Sequence, residues 1–331
     1  MRILGVTSAQ SGVGYHRIIM PVAQMRKDYA MFTDTLTDES VDNNYDIFLM
    51  NRFFTGITIE QVLEWRKKHG FKIVVDNDDF WTLDPTHILY DRYKDNNITQ
   101  SIIEYIRIAD LCTVTHERLA EEVYPYNKNV EIIPNAIPYG EEQFLDNKIE
   151  SDLVRLFWAG SGTHERDIKI LQNPMKRISS IEKIKSVIAG YNDIETVWNK
   201  MAMWFSNNYK IPTQIYRYTE TYRYMAAYAD SDISLIPLVE NKFNSMKSNL
   251  KVLETATKKN PAIVSNVHPY KDMPVLYVNK QTDWFKHTRD LVHDKQMREE
   301  LGLKLFEYCN EKYSLKYINN KRYDIYKRLI S

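Results

Sequence analysis

Short apolar runs and amphipathic stretches alternate along almost the whole chain. In the first half, RILGVTS (2–8), YDIFLMN (45–51), KIVVD (72–76), LCTVTH (111–116) and NVEIIPN (129–135) have the length and β-branched content of buried strands. Between them, YHRIIMPVAQMRK (15–27) places Ile18, Val22 and Met25 on one helical face, with Pro21 as a kink. TIEQVLEWRKKHG (58–70), ITQSIIEYIRIAD (98–110) and ERLAEEVY (117–124) read as further helices. AIPYGEEQFLDNKIESD (136–152) mixes Pro, Gly and charge without periodicity and reads as a linker. The alternation then restarts. VRLFWAG (154–160), IKSVIAG (184–190), QIYRY (214–218), ISLIPL (233–238), AIVSN (262–266) and VLYV (275–278) are strands. RDIKILQNPMKRI (166–178), IETVWNKMAMWF (194–205), YRYMAAYA (222–229) and a segment starting near Lys247 are helices, and two or three more helices finish the chain. The pattern predicts an α/β protein of two Rossmann-like, doubly wound domains facing across a cleft. The expected boundaries are 1–140 and 152–315, with 316–331 a C-terminal helix that could pack back on the first domain.

Composition narrows the function classes. With 331 residues, 44% of them hydrophobic, there is enough apolar material for two cores. Lys+Arg and Asp+Glu both number 44, so no overall field draws the chain to nucleic acid or acidic membrane. Cys112 and Cys309 lie far apart inside apolar segments, with neither metal spacing nor a disulfide framework, which fits a cytoplasmic location. The apolar run at the start is too short for a signal peptide, and no stretch has the length of a membrane span.

Candidate chemistry gathers at strand ends. SAQSGVGYHR (8–17) follows the first strand, and Gly12 and Gly14 would let backbone approach a ligand, with His16 and Arg17 in the first helical turn. The same segment is also explained by a tight strand–helix turn. A full GxGxxG and a Walker loop are both absent, which argues against a dinucleotide dehydrogenase and a P-loop enzyme. DNDDFW (76–81) crowds three carboxylates at one strand end, a costly arrangement unless they face donors or a ligand. Asp78 and Asp79 are candidates for a general base or for acceptor binding, and an Asx-rich turn is the alternative. A magnesium site is a lesser alternative, since no further carboxylate pair has clear spacing, and no metal ligand is assigned. In WAGSGTHERD (158–167), Gly160, Ser161 and Gly162 form a small-residue turn that, with His164, is a candidate backbone nest for phosphates, whereas a capped helix start would explain Thr163, a candidate N-cap, and Asp167.

NKFNSMKSNLKVLE (241–254) follows an apolar strand and precedes another, making a βαβ unit. If the helix is continuous, Lys247, Lys251 and Glu254 share one face at i, i+4, i+7 spacing. Lys247, Ser248, Asn249, Leu250 and Lys251 at a helix N-terminus suit a diphosphate, and Glu254 suits ribose hydroxyls. A solvated surface helix with a Lys/Glu pair has the same spacing. From Lys312 onward, basic residues interleave with Tyr313, Tyr317, Tyr323 and Tyr326. That suits contact with a nucleic acid or, equally, a terminal helix with one packed and one solvated face.

These segments, in order, resemble a family. The glycine turn after strand one, ADLCTVTHERLAEEV with VEIIPNAIP, RLFWAGSGTHERD, and ADSDISLIPL with FNSMKSNLKVLE and PAIVS are together similar to the GT-B glycosyltransferases of the family 4 type. The resemblance implies a nucleoside-diphosphate sugar as donor, held mostly by the C-terminal domain, with retention of anomeric configuration and no obligatory metal or other cofactor. The compact size and the pairing of GVGYHR with DNDDFW most resemble short bacteriophage-encoded enzymes, some of which decorate hydroxymethylated DNA bases. That resemblance implies DNA as a possible acceptor, a hexosyl or pentosyl transfer, and a host-cytoplasm location. The family has two glutamates seven residues apart in the donor segment. Glu254 matches the second, and Met246 stands at the first. An epimerase acting on sugar nucleotides, or an inactive nucleotide-sugar-binding homologue, remains the alternative.

Overall fold

In the first half of the chain six strands pair in parallel: β1 (Ile3–Val6), β2 (Ala30–Thr33), β3 (Ile47–Asn51), β4 (Lys72–Asn77), β5 (Leu111–Val114) and β6 (Val130–Ile132). Their spatial order is β2-β1-β3-β4-β5-β6. The computed structural model describes residues 1–7, 12–25, 30–33, 36–42, 44–54, 56–194 and 196–331. Residues 8–11 of the SAQSGVGYHR segment, 26–27 of the first expected helix and 195 of a later one lie outside the described residues. A second parallel sheet comprises β7 (Val154–Ala159), β8 (Ile184–Tyr191), β9 (Thr213–Arg217), β10 (Ile233–Ile236), β11 (Ala262–Ser265) and β12 (Leu276–Val278), in the order β12-β11-β10-β7-β8-β9. Both sheets are doubly wound, as expected. The order reverses between β1 and β3 in one and between β7 and β10 in the other, and ligands of such sheets bind at the strand ends beside that reversal.

The chain divides into two units. One holds Met1–Ala136, Met246–Ser248 and Leu315–Ser331, and the other holds Ile137–Ser245 and Asn249–Ser314. Both sheets carry apolar strands because they are covered on both faces. Ile47, Phe48, Leu49, Ile73, Val74 and Val75 are buried in the first. In the second, Leu156, Trp158, Trp198, Phe205 and Trp284 belong to one buried cluster.

Local chemistry explains most boundaries. Thr58 accepts from the Gln61 N–H and starts the helix Ile59–His69, and Gly70, with φ of +77°, ends it. The first helix departs from expectation. It is already helical at Gly12–Gly14, so these glycines do not form an open turn, and a Cβ added at Gly12 would meet nothing within 4 Å. Tyr15–Ile19 then forms a π-helical turn, closed by the Met20 N–H on the Tyr15 carbonyl. Pro21 follows at once, and its missing N–H accounts for the change of register there. Residues 222–229 form not an α-helix but a 3-10 segment, Tyr224–Asp230. The expectations contained neither β2 nor the short helices Asp38–Val41 and Tyr90–Asp95. Four to six residues carry too little period to register. No helix among the described residues is long and apolar enough to cross a membrane.

Two strand ends of the second sheet meet closely. Gly190 has φ of +99°, and a Cβ there would lie 2.0 Å from the Gly160 carbonyl oxygen. Gly190→Ala is therefore expected to destabilise the protein by about 1–3 kcal/mol from backbone strain, with the clash adding to it. Urea unfolding of the two proteins measures this, and a loss below about 0.5 kcal/mol would contradict the argument.

Candidate active site

At the carboxyl end of the first sheet, Arg17 is buried and fixed. Its Nε and Nη2 donate to the two Asp76 oxygens at 2.9 and 2.7 Å, and Nη1 donates to the Ile133 carbonyl at 2.8 Å and Asn135 Oδ1 at 3.1 Å. Thr113 Oγ1 donates to Asp76 Oδ2 at 2.6 Å. Arg17 is thus an internal ion pair rather than an open phosphate ligand, because the π-helical turn points it under the sheet edge. His16 is buried as well. Burial, and then the adjacent Arg17 charge, lower its pKa to about 3, so the imidazole is neutral at physiological pH.

Asp78 and Asp79 follow β4 and stand together. Arg52, directly after β3, donates to Asp78 Oδ1 from Nε at 3.0 Å and from Nη2 at 2.8 Å, and to Asp79 Oδ2 from Nη2 at 3.2 Å. The Lys247 ammonium lies 3.8 Å from Asp79 Oδ2. Burial pushes the Asp78 carboxyl up. Arg52 pulls it down while Asp79 and Asp76 push it further up, and the net shift is upward. Between these acids Asn77 is fully buried, and neither polar atom of its amide has a hydrogen-bond partner among the described residues.

The segment Met246–Ser248 belongs to this same unit. His116 Nε2 lies 2.9 Å from the Met246 carbonyl, which can only accept, so the ring donates there. Burial lowers the His116 pKa against the opposing pull of that bond. Asn135 Nδ2 donates to Ser248 Oγ at 2.8 Å. Lys247 and Ser248 are therefore outside the helix expected to carry them. It begins only at Leu250 and runs to Thr257, with Asn249 at its N-cap position making no side-chain cap. Of the three residues placed on one face, Lys251 and Glu254 alone share that helix.

In the second unit, β7 runs into Gly160, Ser161 and the 3-10 turn Gly162–His164. A Cβ on Gly160 would fall 2.8 Å from the Trp158 ring, which requires glycine there. Thr163 caps nothing: its Oγ1 meets Ser161 Oγ at 2.6 Å, and His164 occupies the N-cap position of the next helix without a side-chain bond. His164 Nδ1 instead meets Asp167 Oδ2 at 2.7 Å. Asp167 Oδ1 accepts from the Val239 N–H at 2.8 Å and from Asn244 Nδ2 at 3.1 Å. Burial raises the Asp167 carboxyl, but His164, the Val239 N–H and Lys251 outweigh it and hold it low. This carboxylate ties the ends of β7 and β10 together where the strand order reverses. Lys251 Nζ lies 5.5 Å from the Trp158 ring centre, a cation–π distance. Glu254 is buried, with Tyr224 OH at 2.6 Å from Oε1 and Tyr228 OH at 2.5 Å from Oε2. Burial raises its pKa more than the two phenols and Lys251 lower it. A ribose would have to share or displace those phenols.

The terminal helix Leu315–Ile330 has two faces. Ile318, Asn319, Arg322, Ile325 and Tyr326 are buried, and Lys316, Tyr317, Lys321 and Arg328 are exposed. Asn319 donates to the Pro21 carbonyl at 2.9 Å. The sequence alone did not point to Arg52, Asn135, His116, Asn244 or Gly190. Asn135 and His116 each directly follow a strand-end apolar run, which was the available signal.

No model of a protein family matches the chain, and no curated protein matches it. Solved structures do match in fold. A sucrose-phosphate synthase from Thermosynechococcus elongatus aligns with a TM-score of 0.69 at 11% identity, over 99% of this chain and 98% of the other. HepE of Anabaena, in complex with UDP and glucose, aligns at 0.66 and 8% identity over 98% of each chain. A glycosyltransferase from Rickettsia africae aligns at 0.63 and 11% identity over 100% of this chain and 98% of the other. The fold is that of GT-B glycosyltransferase structures.

The buried neutral His16 makes a pH prediction. Above its ordinary pKa of 6.5 it is neutral in both folded and unfolded chains. Below 6.5 the unfolded chain takes up a proton that the folded one refuses down to about pH 3, so stability falls as pH falls. The expected slope is about 1.4 kcal/mol per pH unit, or roughly 2 kcal/mol between pH 6.5 and 5. His16→Gln should lose roughly that much less than wild type between pH 7.5 and 5 in urea unfolding. Equal losses would show that His16 is protonated in the fold.

Proposed function

We propose that this chain is a glycosyltransferase that moves a sugar from a nucleoside-diphosphate sugar to an acceptor hydroxyl, with configuration retained. The observation carrying this reading is the strand reversal of the second sheet. There Gly160, the His164–Asp167 pair, Asn244 and the cation Lys251 converge at β7 and β10. That is where a parallel sheet takes a phosphorylated ligand. The matching GT-B structures support it, and the HepE complex with UDP and glucose supports uridine diphosphate as the carrier to try first.

The chemistry assigns roles. As the bond from sugar to phosphate breaks, negative charge grows on the leaving diphosphate, and a fixed ammonium and backbone N–H groups lower the barrier. Lys251 and the backbone around Gly160, Ser161, Asn249 and Leu250 supply these. Glu254 receives the ribose hydroxyls alongside Tyr224 and Tyr228. In the first unit Asp78 and Asp79 orient the acceptor hydroxyl, and the departing phosphate takes its proton. His16, neutral and buried, supports that edge rather than transferring protons. On this reading residues 152–315 serve the donor and 1–140 the acceptor. Met246 leaves no carboxylate at the family's first glutamate, and a pentose donor fits that loss. No metal or other cofactor is required.

The favoured acceptor is a hydroxymethylated pyrimidine in DNA, in keeping with the likeness to short phage enzymes. The exposed Lys316, Tyr317, Lys321 and Arg328 on the terminal helix suit a phosphate backbone. A paired base would have to be flipped out, at a cost of a few kcal/mol.

Two variants separate the roles. Lys251→Ala should weaken UDP binding about tenfold or more, since a charge-assisted contact contributes roughly 1.5–3 kcal/mol. Asp79→Asn should leave UDP affinity within about twofold and lower transfer. Calorimetry with UDP decides the first, and equal loss of UDP affinity in both variants would undo the division of labour. For the acceptor, the protein is incubated with a panel of nucleotide sugars and DNA carrying hydroxymethylcytosine or hydroxymethyluracil, and the digested nucleosides are weighed. A sugar-sized mass gain is expected. Transfer to a glycan, protein or small molecule instead would eliminate DNA and keep the transferase, whereas free epimer formed without any acceptor would favour an epimerase.

A further inference from the structure

Arg52 stands at the carboxyl end of β3, on the strand-reversal side of the first sheet, and its backbone is unusual. Its φ is +58°, in the left-handed region that favours glycine and that L side chains seldom adopt. The Arg52 N–H donates to the Asp76 carbonyl at 2.8 Å, which pins this conformation to β4. The result is a guanidinium lying across two consecutive carboxylates. Nη2 reaches both Asp78 Oδ1 at 2.8 Å and Asp79 Oδ2 at 3.2 Å, while Nε adds a second bond to Asp78 Oδ1 at 3.0 Å. Among the described side chains both of these bonds to Asp78 fall on one oxygen, Oδ1. Backbone strain held by surrounding structure at a strand end is characteristic of functional positions.

We propose that Arg52 is a positioning residue: it holds Asp78 ionised and oriented through Oδ1, so that the other oxygen can accept a hydrogen bond from the acceptor's hydroxyl. This rests on the reading of Asp78 and Asp79 as acceptor-orienting residues. The surroundings make such a device necessary. Asp76 and Asp79 crowd Asp78 from its own strand end, and burial disfavours its charge. Facing this group of acids are Arg52 from the end of β3, Arg17 from the π-helical turn, Lys247 beside Asp79, His116 after β5, Arg322 and Tyr326 of the terminal helix near Asp76 and, next to Arg52, Tyr93. Of the cations, Arg17 is bound to Asp76, and Lys247 is 3.8 Å from Asp79. Arg52 alone hydrogen-bonds Asp78 among the described residues. A protonated Asp78 would present a donor where the hydroxyl needs an acceptor.

The test uses the full chain with 13C-labelled aspartate carboxyls, titrated by NMR from pH 4 to 9, with Asp78→Asn identifying the resonance. Arg52→Asn removes the guanidinium but keeps a residue that tolerates the left-handed region. Its Asp78 midpoint should rise by at least about one pH unit, a tenfold change in proton affinity. Arg52→Lys keeps one charge but cannot span both carboxylates as the planar guanidinium does, so its midpoint should fall between the two. An unmoved midpoint in folded Arg52→Asn overturns the proposal. If that variant does not fold, Arg52→Lys decides, and a wild-type midpoint there overturns it equally. UDP affinity, measured in parallel, should be unchanged in all variants. Wild type failing to bind UDP would count against the transferase reading, while the titration would still settle what Arg52 does.

Discussion

The buried pair of Arg17 and Asp76 is the contact on which the carboxyl edge of the first sheet depends. One guanidinium joins the π-helical turn, the end of β4, the Ile133 carbonyl and Asn135, and Thr113 closes the arrangement from β5. A buried pair of this kind adds little net stability, because desolvating both ions offsets their attraction. What it supplies is a fixed geometry. Removing either partner would strand a charge in a dry interior, so the other groups are held where they are. Asn135, with its oxygen on Arg17, is left with an oriented amide N–H that donates to Ser248. The register change before Pro21 matters for the same reason. Without the π-helical turn, Arg17 would project along a different side of the helix and could not reach Asp76.

The two strand-reversal edges are built from different chemistry, and this difference underlies the assignment of roles. The first is ionic: Asp76, Asp78 and Asp79 stand against Arg17, Arg52 and Lys247, with the buried Arg322 close enough to act on Asp76 as well. Fixed carboxylates already engaged by cations suit a neutral hydroxyl, which needs direction more than charge. The second edge is lean in side chains. A Cβ on Gly190 would strike the Gly160 carbonyl and one on Gly160 the Trp158 ring, and the cation Lys251 stands over Trp158. Exposed backbone with one cation suits a group that arrives already charged. Asp167 does not oppose this, since its own charge is taken up by His164, the Val239 N–H and Asn244.

The fold was legible because parallel strands buried on both faces are largely apolar runs, and eleven strands, β1 and β3 to β12, could be read in this way. What escaped was short or conditional on tertiary contacts. Nothing in NRFF signals that Arg52 takes a left-handed conformation, since the usual markers for that region, Gly and Asn, are absent at the position. The glycines at 12 and 14 read as a turn because a sequence cannot say whether a glycine is used for its freedom or merely tolerated in a helix. Glu254 read either as a ribose acceptor or as half of a solvated Lys/Glu pair, and its burial escaped, because its partners Tyr224 and Tyr228 lie some thirty residues away and their phenols matter only once both elements are packed.

The segment before the 250–257 helix shows how spacing can mislead even when the residue types are right. Counting i, i+4, i+7 from Lys247 assumes a continuous helix. Three consecutive residues are instead held one by one: the Met246 carbonyl by His116, Lys247 by Asp79 and Ser248 by Asn135. A backbone fixed in this way cannot also wind into the helix, which therefore begins one residue beyond Asn249. The consequence is chemical. An ammonium beside Asp79 offsets a neighbouring carboxylate, and the charge it offers to a diphosphate is correspondingly smaller. The Met246 carbonyl, bonded to His116, offers no formal charge at the position where the glycosyltransferases that this sequence resembles carry a carboxylate. On the proposed reading, positive charge for a leaving phosphate would then rest on Lys251 and on backbone N–H groups. On the proposed reading, a donor site with so few charges would recognise its ligand chiefly through the diphosphate, which would leave the acceptor edge, with its ordered acids, the larger share of selectivity.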